Sequence, residues 1–128
     1  MNEEIKKQIS TIASSDPDQL KMQSKLVQNA ALKRFDEAMD HYDKALSFDP
    51  KYYEAWANRG VALHDQRRYV EAIVNYDKAL SLRPNYAEAW SNKGGTLNSL
   101  KKHSESAKCY RKALEHTTED SYLLGQVH

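Results

Sequence analysis

Residues 41–60, HYDKALSFDPKYYEAWANRG, return at 75–94 as NYDKALSLRPNYAEAWSNKG, with thirteen of twenty positions identical and no gap. A fixed period in the range of about 20 to 50 residues constrains a chain more than any composition can. It means stacked supersecondary units, since one copy cannot bury its apolar face alone. The 34-residue spacing holds a third time. Tyr42, Lys44, Ala45 and Leu46 recur as Tyr76, Lys78, Ala79 and Leu80, then as Tyr110, Lys112, Ala113 and Leu114. Trp56 recurs as Trp90, and Gly60 as Gly94.

Within residues 53–86 the apolar positions Trp56, Ala62, Leu63, Tyr69, Ala72, Ile73, Tyr76, Ala79 and Leu80 advance by three and four, the signature of amphipathic helices rather than strands. The spacing predicts one helix over about 54–66 and a second over about 70–82, with Arg67 and Arg68 at the turn. Pro50 and Pro84 each follow a KALS segment and stop the second helix. Gly60 and Ala72 let the paired backbones approach, and Trp56 and Tyr76 fill the volume beside them.

These residues resemble the tetratricopeptide repeat, whose pattern W-x2-L-G-x2-Y, then A-x3-F, A and P, is matched by Trp56, Gly60, Ala72, Tyr76, Ala79 and Pro84. Arg59 and Leu63 depart from it. The third unit keeps Trp90, Gly94, Tyr110 and Ala113 but has His103, Ser106 and Thr118 where the pattern asks for an aromatic, alanine and proline. In the first unit Met22 and Leu26 replace the tryptophan and glycine. The resemblance implies an all-α, right-handed solenoid of three helix-turn-helix repeats at 19–52, 53–86 and 87–120. An N-terminal capping helix is expected within 1–18 (Ile5, Ile9, Ile12), and a short C-terminal capping helix begins at 121–128.

Charge and composition narrow the function. Nineteen basic against 18 acidic residues leave a net charge of +1, with no global pull toward nucleic acid or membrane. The single cysteine, Cys109, excludes an internal disulfide and gives no zinc-ligand spacing, and no run of about 18 apolar residues is present. A soluble cytoplasmic protein without cofactor or metal is expected. The five histidines show no HxxxH or HExxH spacing, Gly94 and Gly95 lie inside a predicted helix rather than a phosphate loop, and no catalytic constellation emerges. Repeat packing accounts for Gly94; for Gly95 the readings are a mild helix defect or a close approach of ligand backbone.

A partner surface is the remaining reading. The first helix of each pair lines the concave side of a helical solenoid, and positions two residues past the tryptophans point away from the core. Asn58 and Asn92 stand there, with Ser24 in the first unit and Asn98 further along. Amides repeated at the solenoid pitch suit the backbone of an extended protein or peptide segment; a copied surface asparagine is the plainer alternative. The same asparagine positions resemble the inner ladder in the repeat arm of O-linked N-acetylglucosamine transferases, which implies a non-catalytic recruiting arm of a larger bacterial glycosyltransferase-like protein. The carboxylate clamp of chaperone-binding repeats is not matched, since Gln23 and Val27 in the first unit, and Glu88 and Asn92 in the third, occupy its positions.

Two further expectations concern the edges. Lys33 and Arg34, Arg67 and Arg68, and Lys101 and Lys102 recur at the turns and would form a basic edge, or simply solvated turns beside Asp36, Glu71 and Glu105. Tyr122, Leu123, Leu124 and Val127 at the C-terminal end offer a route to homo-oligomers.

Overall fold

The computed structural model describes residues 17–126, which form five α-helices and no strand: α1 (Pro17–Phe48), α2 (Tyr53–Asp65), α3 (Tyr69–Leu82), α4 (Ala87–Ser99) and α5 (His103–Gln126). The chain divides into two compact units, residues 1–34 and 35–128. The expected N-terminal capping helix falls outside the described residues.

In the second unit each predicted pair forms. Helix α2 packs on α3 and α4 on α5, while α3 packs on α4 and α2 also touches α4. This is the all-α helical solenoid that the period demands. Two clusters make its core. Leu63, Ala72 and Tyr76 are buried together, with Phe35, Met39 and Val61 packed against them. Ala57, Ala79, Leu80 and Ala89 form the other, flanked by Tyr53, Trp56, Tyr86 and Trp90. Small residues dominate because the backbones come close: a Cβ placed on Gly60 would lie 2.6 Å from Tyr76 Cε1 and 3.1 Å from the Ala72 carbonyl.

The turns inside the pairs share one geometry. Arg67 and Lys101 adopt left-handed φ values of 60° and 61°. The amide of the following residue, Arg68 or Lys102, then reaches back to Leu63 O or Leu97 O at 2.9 Å. This six-to-one closure satisfies a carbonyl at the helix end. Between pairs, α3 stops at Leu82 because Arg83, held extended (φ −140°, ψ 91°), precedes Pro84.

Two boundaries differ from the sequence reading. The first unit's expected turn at Lys33 and Arg34 is absent, and both residues lie inside the uninterrupted α1. Ala30, Ala31, Leu32, Lys33 and Arg34 all favour helix, and Leu26 stands where Gly60 and Gly94 stand in the later copies. A pair as close as α2 and α3, which leaves no room even for a Cβ against Tyr76, has none for leucine against Tyr42. At the other end, Thr118 replaces the helix-stopping proline, and α5 runs through to Gln126 instead of breaking before a separate cap.

Candidate protein-binding surface

Helices α2 and α4 bury Ala55, Ala57, Gly60 and Leu63, and Ala89, Gly94, Thr96 and Leu97 respectively. That leaves a stripe on each: Glu54, Asn58 and Asp65 on α2, interrupted by Val61, which packs on the core, and Glu88, Asn92 and Ser99 on α4, interrupted by Gly95. Both advance by four, three and four residues, so each lies along one face of its helix. Since α2 and α4 touch directly, amides and carboxylates recur on adjacent helices.

The framework beneath these stripes is itself duplicated. The Trp56 indole N–H donates to the Pro50 carbonyl at 2.9 Å, and Trp90 to Pro84 at 2.8 Å. Each tryptophan is thereby a half-buried packing element that ties its helix to the preceding loop. Arg59 pairs with Asp43 at 3.0 Å and Lys93 with Asp77 at 2.7 Å, both at a separation of 16 residues that the reading of the sequence overlooked. Arg59 also donates to Asn75 Oδ1 at 3.0 Å, and Asn75 in turn donates to Glu71 O at 2.8 Å. Arg83 lies over Tyr53 and Tyr86 (5.1 and 5.5 Å to the ring centroids) and donates to the Tyr53 hydroxyl at 2.6 Å. A deeper link crosses from one repeat to the next. The Thr96 hydroxyl donates to Asn92 O at 3.0 Å and meets His64 Nδ1 at 2.8 Å.

Of the residues picked out from the sequence, Asn58 is exposed, Asn92 half-buried and Asn98 exposed, while Ser24 is exposed on α1 in the first unit. Asn98 Oδ1 accepts from His103 Nδ1 at 2.7 Å, so its carbonyl is already engaged. The basic edge is not uniform. Arg67, Arg68, Lys101 and Lys102 are exposed at the two turns, but Arg68 is held by Glu71 through two hydrogen bonds of 3.0 and 2.6 Å. That contact holds the Glu71 carboxyl below its usual range. Lys33 and Arg34, sitting mid-helix, belong to no turn.

Buried groups show the expected electrostatic response. Desolvation pushes the Tyr86 phenol up to about 12, with nearby Glu88 adding to the shift. Burial likewise raises the Cys109 thiol. At 5% exposure Cys109 occupies the core position held by Asn75 one repeat earlier, and a thiol kept protonated there is not a nucleophile. Gly95 has ordinary space, its nearest neighbour to an added Cβ being the Tyr110 hydroxyl at 3.4 Å. Among the described residues, no group of three or more His, Cys, Asp or Glu is placed to hold a metal, and no helix is long and apolar enough to cross a membrane.

Duplicated helix pairs, a small-residue core and recurring tryptophan anchors define a helical-repeat scaffold. Tetratricopeptide repeat models match residues 53–86 and 87–115, and a TPR repeat model matches 30–67. Together they take in residues 30–115, and the chain belongs to the tetratricopeptide repeat family, a class of protein-interaction scaffolds. The matches begin at residue 30, leaving most of the first unit's first helix outside them, in keeping with the uninterrupted α1. No curated protein sequence matches the chain.

Solved structures agree on the fold. A crystal structure of MamA superposes with a TM-score of 0.67 at 22% identity, over 73% of this chain and 55% of that one. MamA from MSR-1 gives 0.64 at 26% identity, over 70% and 51%. The second TPR of Spaghetti (RPAP3), solved bound to the HSP90 peptide SRMEEVD, gives 0.60 at 24%, over 67% and 82%. The chain thus spans about half the length of the MamA structures it matches.

Proposed function

We propose that this protein binds an extended segment of a partner protein along the stripes of α2 and α4, with Asn58 and Asn92 hydrogen-bonding the partner's backbone. The observation that carries this is the pair of amides at one repeat position on two touching helices, which share a core cluster through Ala57 and Ala89. An amide offers both a donor and an acceptor, so it reads a peptide backbone without regard to side chains. The neighbouring stripe residues Glu54, Glu88 and Asp65 are carboxylates, which disfavour an acidic peptide such as the SRMEEVD held by the RPAP3 domain.

The test is the double variant Asn58→Ala with Asn92→Ala, titrated against peptides selected from a random displayed library. Losing two backbone-directed hydrogen bonds at about 0.5–1.5 kcal/mol each weakens binding by roughly 5- to 150-fold. Helical content should stay at the parent value. Unaltered affinity would retire the ladder. The same surface would serve a free adaptor or the recruiting arm of a larger glycosyltransferase-like protein, and the mass of the native product in its source cells separates these two.

A further inference from the structure

The seat that α4 occupies against α2 and α3 recurs one repeat later. Ala87, Ser91, Tyr110, Ala113 and Leu114 line an open depression of about 390 Å³ on α4 and α5. Each stands 34 residues after Tyr53, Ala57, Tyr76, Ala79 or Leu80. In the earlier copy Ala57, Ala79 and Leu80 close around Ala89 of α4, and Tyr53 meets Tyr86 edge-on at 5.1 Å. Burial measures the difference. Tyr76 is 1% exposed and Tyr110 41%, and Ala57 is buried whereas Ser91 is exposed.

Charge identifies what would fit. Asp43 holds Arg59 of α2, and Asp77 holds Lys93 of α4, so at this position each second helix grips a cation on the helix that follows. On α5 the same position is Arg111, which is exposed and reverses the sign. A helix seated like α4 would meet Arg111 with the residue four places after its central alanine, as Lys93 follows Ala89.

We infer that the face of α4 and α5 is a docking site for an amphipathic helix of a partner protein. That helix carries an alanine at the Ala89 position, aromatics three residues before and one after it, and a carboxylate four residues after it. The site shares only Glu88 with the peptide stripe: it takes a helix by its small-residue face and uses none of Asn58, Asn92 or Asn98. The α3–α4 packing is the pattern for the apolar contact, and the inverted charge selects against a lysine or arginine at that place on the incoming helix.

Two helix-stabilised peptides test it. Both copy Asn85–Ser99 with a lactam between Glu88 and a lysine introduced as Asn92→Lys; one keeps Lys93 and the other carries Lys93→Glu. In fluorescence anisotropy at low salt the Glu peptide should bind the full chain about three- to tenfold more tightly than the Lys peptide. Arg111→Asp should invert that preference. Ser91→Arg, a change at an exposed position that fills the seat, should abolish binding of both without altering the far-ultraviolet dichroism, while Asn58→Ala with Asn92→Ala should leave it intact. Equal affinity for the two peptides, retention of binding by Ser91→Arg, or no binding by either peptide at roughly millimolar concentration would overturn the assignment.

Discussion

Gly60→Ala, Gly94→Ala and Gly95→Ala apply the same methyl group to three environments, and the structure ranks them. Each substitution removes a helix-interior glycine, a gain of about 1 kcal/mol in backbone propensity. The opposing cost depends on the neighbours. At Gly60 the new Cβ would lie 2.6 and 2.8 Å from the Tyr76 ring, which is 1% exposed, and 3.1 Å from the Ala72 backbone carbonyl. Neither neighbour has room to retreat, so overpacking should reach the upper end of its usual range, about 3 kcal/mol, for a net loss of about 2. At Gly94 the contact is 3.2 Å to the Tyr110 ring, which at 41% exposure can tilt away, and the balance should be near zero. At Gly95 the 3.4 Å contact is ordinary, leaving a net gain of up to about 1 kcal/mol. Urea titration followed by circular dichroism reads the series. With a slope of about 1–3 kcal/mol per molar, Gly60→Ala should lower the midpoint by roughly 1 M and Gly95→Ala should raise it. A Gly60→Ala protein as stable as the parent, or a reversed order of Gly60 and Gly95, would refute the claim that contact with Tyr76 sets the distance between α2 and α3.

Four other outcomes are expected. Arg67→Gly and Lys101→Gly, which relieve left-handed φ at non-glycine residues, should each stabilise the fold by about 1 kcal/mol in the same titration. Trp56→Phe should cost about 1 kcal/mol or more by losing the hydrogen bond to Pro50 O, and Trp90→Phe should match it because the contact to Pro84 is the same. Cys109 should react slowly with a thiol reagent until urea unfolds the chain; rapid labelling of the native protein would contradict its burial. Since the folded Tyr86 phenol is raised from 10 to about 12, the unfolded chain ionises first, so the melting temperature should fall as pH climbs from about 10 to about 12, and Tyr86→Phe should flatten that fall.

The sequence made the second and third helix pairs legible because every cue in them agrees. Period, proline stops, glycine at the close approach and tyrosine opposite it all specify one structure, and the predicted 54–66 and 70–82 differ from Tyr53–Asp65 and Tyr69–Leu82 by one residue at most at each end. The misplaced boundaries are those where one cue was missing. Without glycine at position 26 or proline at 118, the period still aligned Lys33 with Arg67 and Thr117 with Arg83, but nothing broke the helix there. Asn58 and Asn92 could be read as surface residues from angle alone. The ion pairs of Arg59 and Lys93 were also legible as charges 16 residues apart, yet only packing shows that 16 residues separate a second helix from the first helix of the next pair. Tyr122, Leu123 and Leu124 are carried on the far end of α5, and Val127 lies outside the described residues. Self-association through that end remains a proposal for light scattering, with Leu123→Asp and Leu124→Asp as the variants that should lower the mass if it occurs.

The contact between His64 and Thr96 also sets a register. The two residues stand 32 apart, two short of the repeat period, so the 2.8 Å bond joins α2 to α4 rather than a residue to its own copy. Thr96 is fully buried, and its hydroxyl is held at the same time by the Asn92 carbonyl of its own helix at 3.0 Å. Sliding α4 along α2 by one turn, about 5.4 Å, would part the ring from the hydroxyl, so the seam between the second and third repeats is keyed to one alignment.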